Sequence, residues 1–466
     1  MTFRHIYTSF IFSFFSFLIV YAEPPSSDGL DMTYLKKSIA TQHPVMGIDF
    51  TPNGRYIVSG GVSRDIDVWN VSTGRLLKKM KGHKDAILTV ACSPQGTVIA
   101  SGGLDKKVIL WSMITWDKAV ELDGHSDYIR DVKFSPNGKL LCSTSWDRSV
   151  IIWEVSTGRR LQTLSGHKNI VTSADFNKDG TQVVTACRDN QVRVWDVKTG
   201  ELLKTLKGHT DEVWDVEWSH NSRFIASGAW DDKVRIWDYE TGEEQFNFSG
   251  HNKDIESVDF DPESLILATS GADRMVKVWD LATGRLVVNL SESAHTEDIE
   301  EVKFSPNGKL LASASRDGTI SFWDVPDLEE RIALLSVRAV EEWSQKTAYE
   351  KTTEYEKRMK SYDKYEEKIV EEVISTVLRY FEDNVDWNKD FKLGDYDPDR
   401  EYFVLNTPAL GRLRLKASNT QAPMIVDNFE RMTFKDLNLR YSRGLIFVDS
   451  MTASVEGMNK KYTVSH

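Results

Sequence analysis

Short runs in which apolar and polar residues alternate recur through the first 326 residues, and Gln191-Val-Arg-Val-Trp195 is typical. A period of two puts every apolar side chain on one face, as a half-buried β-strand requires. One stretch shows how the runs are joined. An apolar strand at Val132-Lys-Phe134 leads into the turn Ser135-Pro-Asn-Gly138, and a second strand runs from Leu140 to Ser145. A turn carrying Asp147 precedes the strand that ends on Trp153, and Ser156-Thr-Gly158 then turns the chain into a fourth strand around Leu161 to Leu164. Proline presets φ and glycine accepts a positive φ, so these segments read as hairpin turns. The pattern predicts four consecutive antiparallel strands.

The same unit returns at a fixed interval. Trp69, Trp111, Trp153, Trp195, Trp237 and Trp279 are spaced by 42 residues, and Trp323 follows after 44. About 28 residues before most of them stands a Gly-His pair or a close relative: His83, His125, His167, His209, His251 and, as Ala-His, His295. Asp196, Asp238, Asp280 and Asp324 directly follow four of the tryptophans. Over roughly residues 34–326 the chain therefore resembles the WD-repeat family. That resemblance implies a seven-bladed β-propeller, in which radial repetition leaves only short strand edges. The expected fold is mainly β: a propeller over 34–326, a charged helical segment over 327–385 and a small α+β domain over 386–466.

Polar residues inside the repeat imitate catalysis. His125, Ser143 and Asp147 look like a hydrolase triad, but the same roles recur as His167, Thr185, Asp189; His209, Ser227, Asp231; His251, Thr269, Asp273; and His295, Ser313, Asp317. An enzyme needs one site, so the recurrence reads as a buried His–Ser/Thr–Asp–Trp hydrogen-bond chain locking each blade. Blade one departs from it, with Ser63 at the turn position and His43 two residues closer to its tryptophan. Two segments could supply the last strand of the ring: Tyr34-Leu-Lys-Lys-Ser-Ile-Ala40, or Glu330 to Leu334. Asp327-Leu-Glu-Glu330 has the form of a helix start with Asp as N-cap, which favours the N-terminal segment.

The two ends of the chain change the picture. Arg4 and the apolar run Phe10–Val20, followed by Val20-Tyr-Ala22, have the form of a secretory signal over 1–22, with a linker over 23–33; an uncleaved anchor is the alternative. The run is shorter than the roughly 20 residues a membrane span needs. The expectation is an exported chain, periplasmic or secreted, from a bacterial source, without a membrane span once mature; the sequons at Asn70 and Asn247 matter only for another source. After Pro326, Leu328, Ile332, Leu335, Ala339 and Trp343 recur at helical spacing, as do Ile369, Val373, Val377 and Tyr380, with a break expected around Tyr349–Tyr355. Tyr402–Leu405, Gly411–Lys416 and Leu445–Val448 read as strands, and Asp395, Asp397 and Asp399 as a plain acidic turn. This C-terminal part is similar to an accessory module of bacterial proteins that also carry repeats or caspase-like domains, a resemblance that implies no activity.

Net charge is −12 from 58 basic and 70 acidic residues, which disfavours nucleic acid as a partner. Cys92, Cys142 and Cys187 fall at repeat positions held elsewhere by Phe134, Ala100 and Ser145, and read as core fillers. No cofactor and no metal are expected, because phosphate loops and metal-spaced His/Cys clusters are missing. Members of the family that the chain resembles generally bind on the face where the histidine-side loops converge. Two repeat positions aim there: the fifth residue after the histidine and the residue before the turn Asp. They carry Arg130, Trp146, Arg188, Trp214 and Trp230 on blades three to five, and Glu256, Glu300 and Arg316 on the next two. Trp and Arg dominate binding hot spots. The reading is a non-catalytic scaffold for a protein or peptide with basic and apolar residues; the alternative is a propeller enzyme or small-ligand binder using the central opening. The sequence leaves the oligomeric state open.

Overall fold

In the computed structural model, seven four-stranded antiparallel sheets follow one another along the chain, six of them meanders of consecutive strands. The structure describes residues 34–290, 294–345, 352–359, 361–384, 392–398, 402–407, 411–416, 422–428, 432–442, 445–455 and 461–465. The expected signal (1–22) and linker (23–33) lie outside them. Blade three shows the unit: strands Ile129–Phe134, Leu140–Ser145, Val150–Glu154 and Arg159–Leu164. Its turns have the expected chemistry, with Gly138 at φ 64° and Gly158 at φ 68°, a region glycine enters without strain. The first strand of each blade packs against the first strands of both neighbours, and blade seven returns to blade one, so the inner strands ring a central channel.

The ring is sealed by the N-terminal segment. Leu35–Ala40 pairs antiparallel with Thr319–Asp324 as the fourth strand of blade seven, in register from Leu35 opposite Trp323 to Ala40 opposite Thr319. Ser38 and Ser321 hydroxyls meet at 2.8 Å, and the Thr41 N–H donates to the Gly318 carbonyl at 2.7 Å. Ile39 enters a core with Ile48, Phe50, Ile320 and Phe322 that spans blades seven and one. The rival closer, Glu330–Leu334, is helical, inside Leu328–Ser344. Asp327 caps that helix with a full capping box, its carboxylate accepting from the Glu330 N–H at 2.9 Å.

All seven periodic tryptophans are buried, and each indole N–H donates to a Ser or Thr hydroxyl of the preceding strand: Ser59, Ser101, Ser143, Thr185, Ser227, Thr269 or Ser313. In blade five, His209 Nε2 lies 2.8 Å from Ser227 Oγ, and its Nδ1 lies 3.0 Å from Asp231. With Nδ1–H donating to the carboxylate, Nε2 accepts from the hydroxyl, whose oxygen accepts from Trp237. Burial raises the Asp231 carboxyl, but the bonds from His209 and the Thr210 N–H outweigh it and hold the group below its usual range. Blades two, three and six carry the same chain.

Two blades depart from the expected network. In blade four, Arg193 takes Asp189 with a two-pronged grip at 2.9 and 2.7 Å, so His167 keeps Thr185 while its Nδ1 has no partner among the described residues. Burial and the charge of Arg193 then push His167 down to about 4. In blade seven, His295 Nδ1 meets the Thr319 hydroxyl at 2.8 Å, which intervenes before Asp317. Blade one has no histidine in its chain. Thr41 holds that register position, its hydroxyl reaching the His43 and Gly318 carbonyls. The three cysteines are free; Cys142 and Cys187 are buried as expected, and Cys92 is only half-buried.

The second unit begins at Asp327. The break expected between two helices contains a helix of its own, Thr352–Met359, and a third follows at Tyr362–Asn384, which packs on Leu328–Ser344. Trp343 stacks on Tyr365 at 5.3 Å between ring centres. The strands expected near 402, 411 and 445 are present within a six-stranded antiparallel sheet, ordered 392–397, 402–407, 411–416, 461–465, 445–455 and 432–442. Asp395 and Asp397 belong to the first of these strands, not to a turn; Asp399 lies outside the described residues. The register of Lys392–Asp397 with Tyr402–Thr407, slipped between Leu393 and Tyr396, carries them into the sheet.

Replacing His209 with Ala strands Ser227 and Asp231, and should cost on the order of 1–3 kcal/mol in equilibrium urea denaturation. Ile39→Ala should cost about 2–5 kcal/mol and expose the amides of Thr319–Asp324 to hydrogen exchange before those of other blades. Protection in that strand no weaker than in blade four would speak against closure by the N-terminal segment.

Candidate binding face at the channel mouth

A defect in pairing, repeated seven times, builds the mouth of the channel. In every blade the inner strand slips register near its start, between Val45 and Gly47, Ile87 and Thr89, Ile129 and Asp131, Val171 and Ser173, Val213 and Asp215, Ile255 and Ser257, and Ile299 and Glu301. A β-bulge leaves one residue unpaired and re-aims its side chain. The residues so placed are Met46, Leu88, Arg130, Thr172, Trp214, Glu256 and Glu300, and all seven line one cavity at the mouth. Six occupy the fifth position after a histidine. Met46 went unrecognised in the sequence because blade one has no histidine in register.

The residue before each turn Asp forms the outer rim. Its N–H donates to the chain just ahead of the bulge: Trp146 to Tyr128, Arg188 to Ile170, Trp230 to Glu212 and Arg316 to Asp298. These bonds fix the two predicted positions side by side. Trp214 and Trp230 stack with ring centres 4.6 Å apart and planes 22° from parallel. Arg130 lies over the Trp214 ring at 5.1 Å, and Arg188 spans both indoles at 5.7 and 5.4 Å. Arg188 is held in turn by an ion pair with Glu212. Trp146 stands one blade away, edge-on to Tyr128 at 5.2 Å. All three rim tryptophans are half-exposed, unlike Trp195 and Trp237, yet their indole N–H groups have no hydrogen-bond partner among the described residues.

The acidic flank differs from the expectation. Glu256 and Glu300 are 6% and 3% exposed, so neither presents an open carboxylate. They sit inside the mouth because the bulge points its residue at the axis rather than outward. Glu300 pairs with Arg316, which also reaches Asp298 at 3.5 Å. Burial and the adjacent Glu300 push Glu256 up to about 8, with Arg130 and Arg316 acting against them. The accessible acids are Asp211, Asp232, Asp254 and Asp298, and burial together with Asp232 and Asp211 raises Asp254. Tyr128, Glu212, Asp254 and Asp298 share the third position after the histidine, a repeat slot that would have revealed them.

Below the mouth the inner strands carry further carboxylates, and these have structural work. Asp49 accepts from the Cys92 N–H at 2.6 Å, Asp175 from Trp218 at 2.9 Å, Glu217 from Phe260 at 2.7 Å, Asp259 from Phe304 at 2.6 Å and Glu301 from Ile48 at 2.6 Å. Each crosses from one blade to the next. Burial raises Asp49 to about 6 and Glu301 to about 8. Among the described residues, no group of three or more His, Cys, Asp or Glu side chains is placed to hold a metal ion, and no helix is long and apolar enough to cross a membrane.

Comparison with known proteins agrees with this architecture. Residues 36–70, 74–112, 116–154, 158–196, 200–238, 242–280 and 285–324 match the WD domain, G-beta repeat family, and the match ends before the second unit. Its first segment begins inside the closing strand, because the repeat in sequence is offset by one strand from the blade in space. Protein ROOT INITIATION DEFECTIVE 3 of Arabidopsis thaliana is 48% identical over 40 residues, 9% of this chain and 9% of that protein. The chain thus spans a small fraction of the curated relative it matches. With seven matched repeats folded as seven blades over more than half its length, the chain belongs to the WD40 family of WD-domain, G-beta repeat proteins.

Proposed function

We propose that this chain is a non-catalytic scaffold or adaptor working outside the cytoplasm, and that it binds a protein or peptide on the propeller face over blades three to five. The observation that carries the reading is the stacked Trp214–Trp230 pair bracketed by Arg130 and Arg188. Flat indoles bury large area at low entropy cost, and a guanidinium on an aromatic face stays fixed while free to donate hydrogen bonds. Asp211, Asp232, Asp254 and Asp298 beside them favour a partner with basic residues as well as apolar ones. The residues that resemble a hydrolase triad are engaged in locking blades, which supports binding over catalysis.

Affinity capture from the source cell's envelope fraction supplies the partner. Trp214→Ala and Trp230→Ala should each weaken that complex by roughly 2 kcal/mol or more while leaving melting nearly unchanged. Wild-type affinity in both variants would remove the face from consideration. Export rests on the apolar N-terminal run, whose removal should leave a mature chain beginning near Glu23 by intact-mass measurement. A chain that keeps Met1 and resists carbonate extraction from membranes would instead be anchored.

A further inference from the structure

Five carboxyl groups line the cavity at the channel mouth against two basic side chains: Asp131, Asp215, Glu256, Glu300 and Glu301 against Arg130 and Lys133. Four of the five have partners that account for them. Asp131 accepts from Thr89 at 3.1 Å and Ser173 at 3.1 Å, Asp215 from the Val258 N–H at 2.8 Å, Glu301 from Ile48, and Glu300 holds Arg316. Glu300 Oε1 also makes no hydrogen bond but lies in that ion pair, whereas Glu256 Oε2 has neither among the described residues. The Glu256 side chain is more than nine-tenths buried and lines the cavity. A buried, unsatisfied carboxyl oxygen is destabilising and is retained in a fold only where something offsets it.

We propose that the channel mouth takes one basic side chain of the partner, a guanidinium or a primary ammonium, which donates to Glu256 Oε2 beside the Trp214 indole. This rests on the binding face described above and names what enters its centre. The carboxyls stand on four different inner strands and are not gathered as metal ligands, whereas a multi-donor organic cation can reach several acceptors around a ring. Thr172 and Ser257 hydroxyls on the same wall offer further acceptors.

Binding is linked to protons. Glu256 faces Glu300 and Arg316 from blade seven, Arg130 from blade three and Asp254 from its own blade, with Asp131, Lys133, Asp215 and Glu301 along the cavity wall. Raised to about 8, it is mostly protonated at neutral pH in the free protein. A bound cation favours the carboxylate, so the proton leaves as the cation enters. The folded-state value lies above the unfolded one. This group's stabilising contribution is therefore complete below about pH 4.5 and lost as pH rises towards 8. Glutamine resembles the protonated form, so Glu256→Gln should melt at or above wild type at pH 8.

The test uses the full chain titrated calorimetrically with acetyl-Gly-Arg-Gly-amide and, as control, acetyl-Gly-Gln-Gly-amide. The arginine peptide should bind at least about tenfold more tightly, its affinity should rise by up to about tenfold per pH unit from 6.5 to 8, and protons should be released. Glu256→Gln should lose that preference and that pH dependence while remaining folded. Equal affinity for the two peptides, or an unchanged pH profile in the variant, overturns the proposal. Should that happen while Trp214→Ala still weakens the captured complex, the face stands and only the cation site falls; should both fail, the face falls too.

Discussion

The inner strand of every blade is an edge strand, and this constraint governs the propeller. Inner strands diverge around the axis and cannot complete one another's ladders, yet their outward N–H groups are buried between blades and need acceptors. Side chains of the neighbouring blade supply them. Asp49 reaches Cys92, Asp175 reaches Trp218, Glu217 reaches Phe260, Asp259 reaches Phe304, and Glu301 closes the circle on Ile48. An acidic side chain one or three residues past the bulge residue has the reach to cross the junction. The carboxylate-rich channel is first of all a set of latches, and burial within it is what lifts Asp49 and Glu301 out of the usual carboxylate range.

Around the outside, the Trp–Ser/Thr–His–Asp chain does for each blade what the latches do between blades. It ties the third strand to the second and pins the loop before the first strand to the turn after the second. The tie also positions the binding face, because that loop and that turn carry the two rim residues. The chain tolerates local rewiring. Arg193 substitutes for His167 as the partner of Asp189, Thr319 intervenes between His295 and Asp317, and blade one manages with Thr41 and Ser59. What every blade keeps is the indole bonded to a buried hydroxyl.

Against that uniform scaffold the face is asymmetric. Blades three to five present indoles with guanidinium groups upon them, and blades five to seven present aspartates. The bulge residue and the rim residue carry no ladder hydrogen bond through their side chains, so these slots are free to differ from blade to blade while the strands beneath them stay alike. Protein partners are what WD40 propellers typically meet on such a surface.

Period and alternation in the sequence determined the number of blades, the four strands in each, the turns at Gly138 and Gly158, the burial of the tryptophans and the capping of the helix at Asp327. Each of these is set by neighbours in the chain or by simple repetition, so pattern suffices. The repeat also assigned Trp214, Trp230, Arg130 and Arg188 to slots that the structure brings together. Only the tertiary structure decided that Leu35–Ala40 seals a sheet whose other strands lie some 280 residues away. It alone decided that Arg193 outcompetes His167 for Asp189, and that Asp395 and Asp397 lie in a strand. It also turned Glu256 and Glu300 inward, because a bulge aims its residue by backbone twist rather than by residue type. Burial, competition for one carboxylate and the closing of a ring depend on which distant groups meet, and no local pattern encodes that.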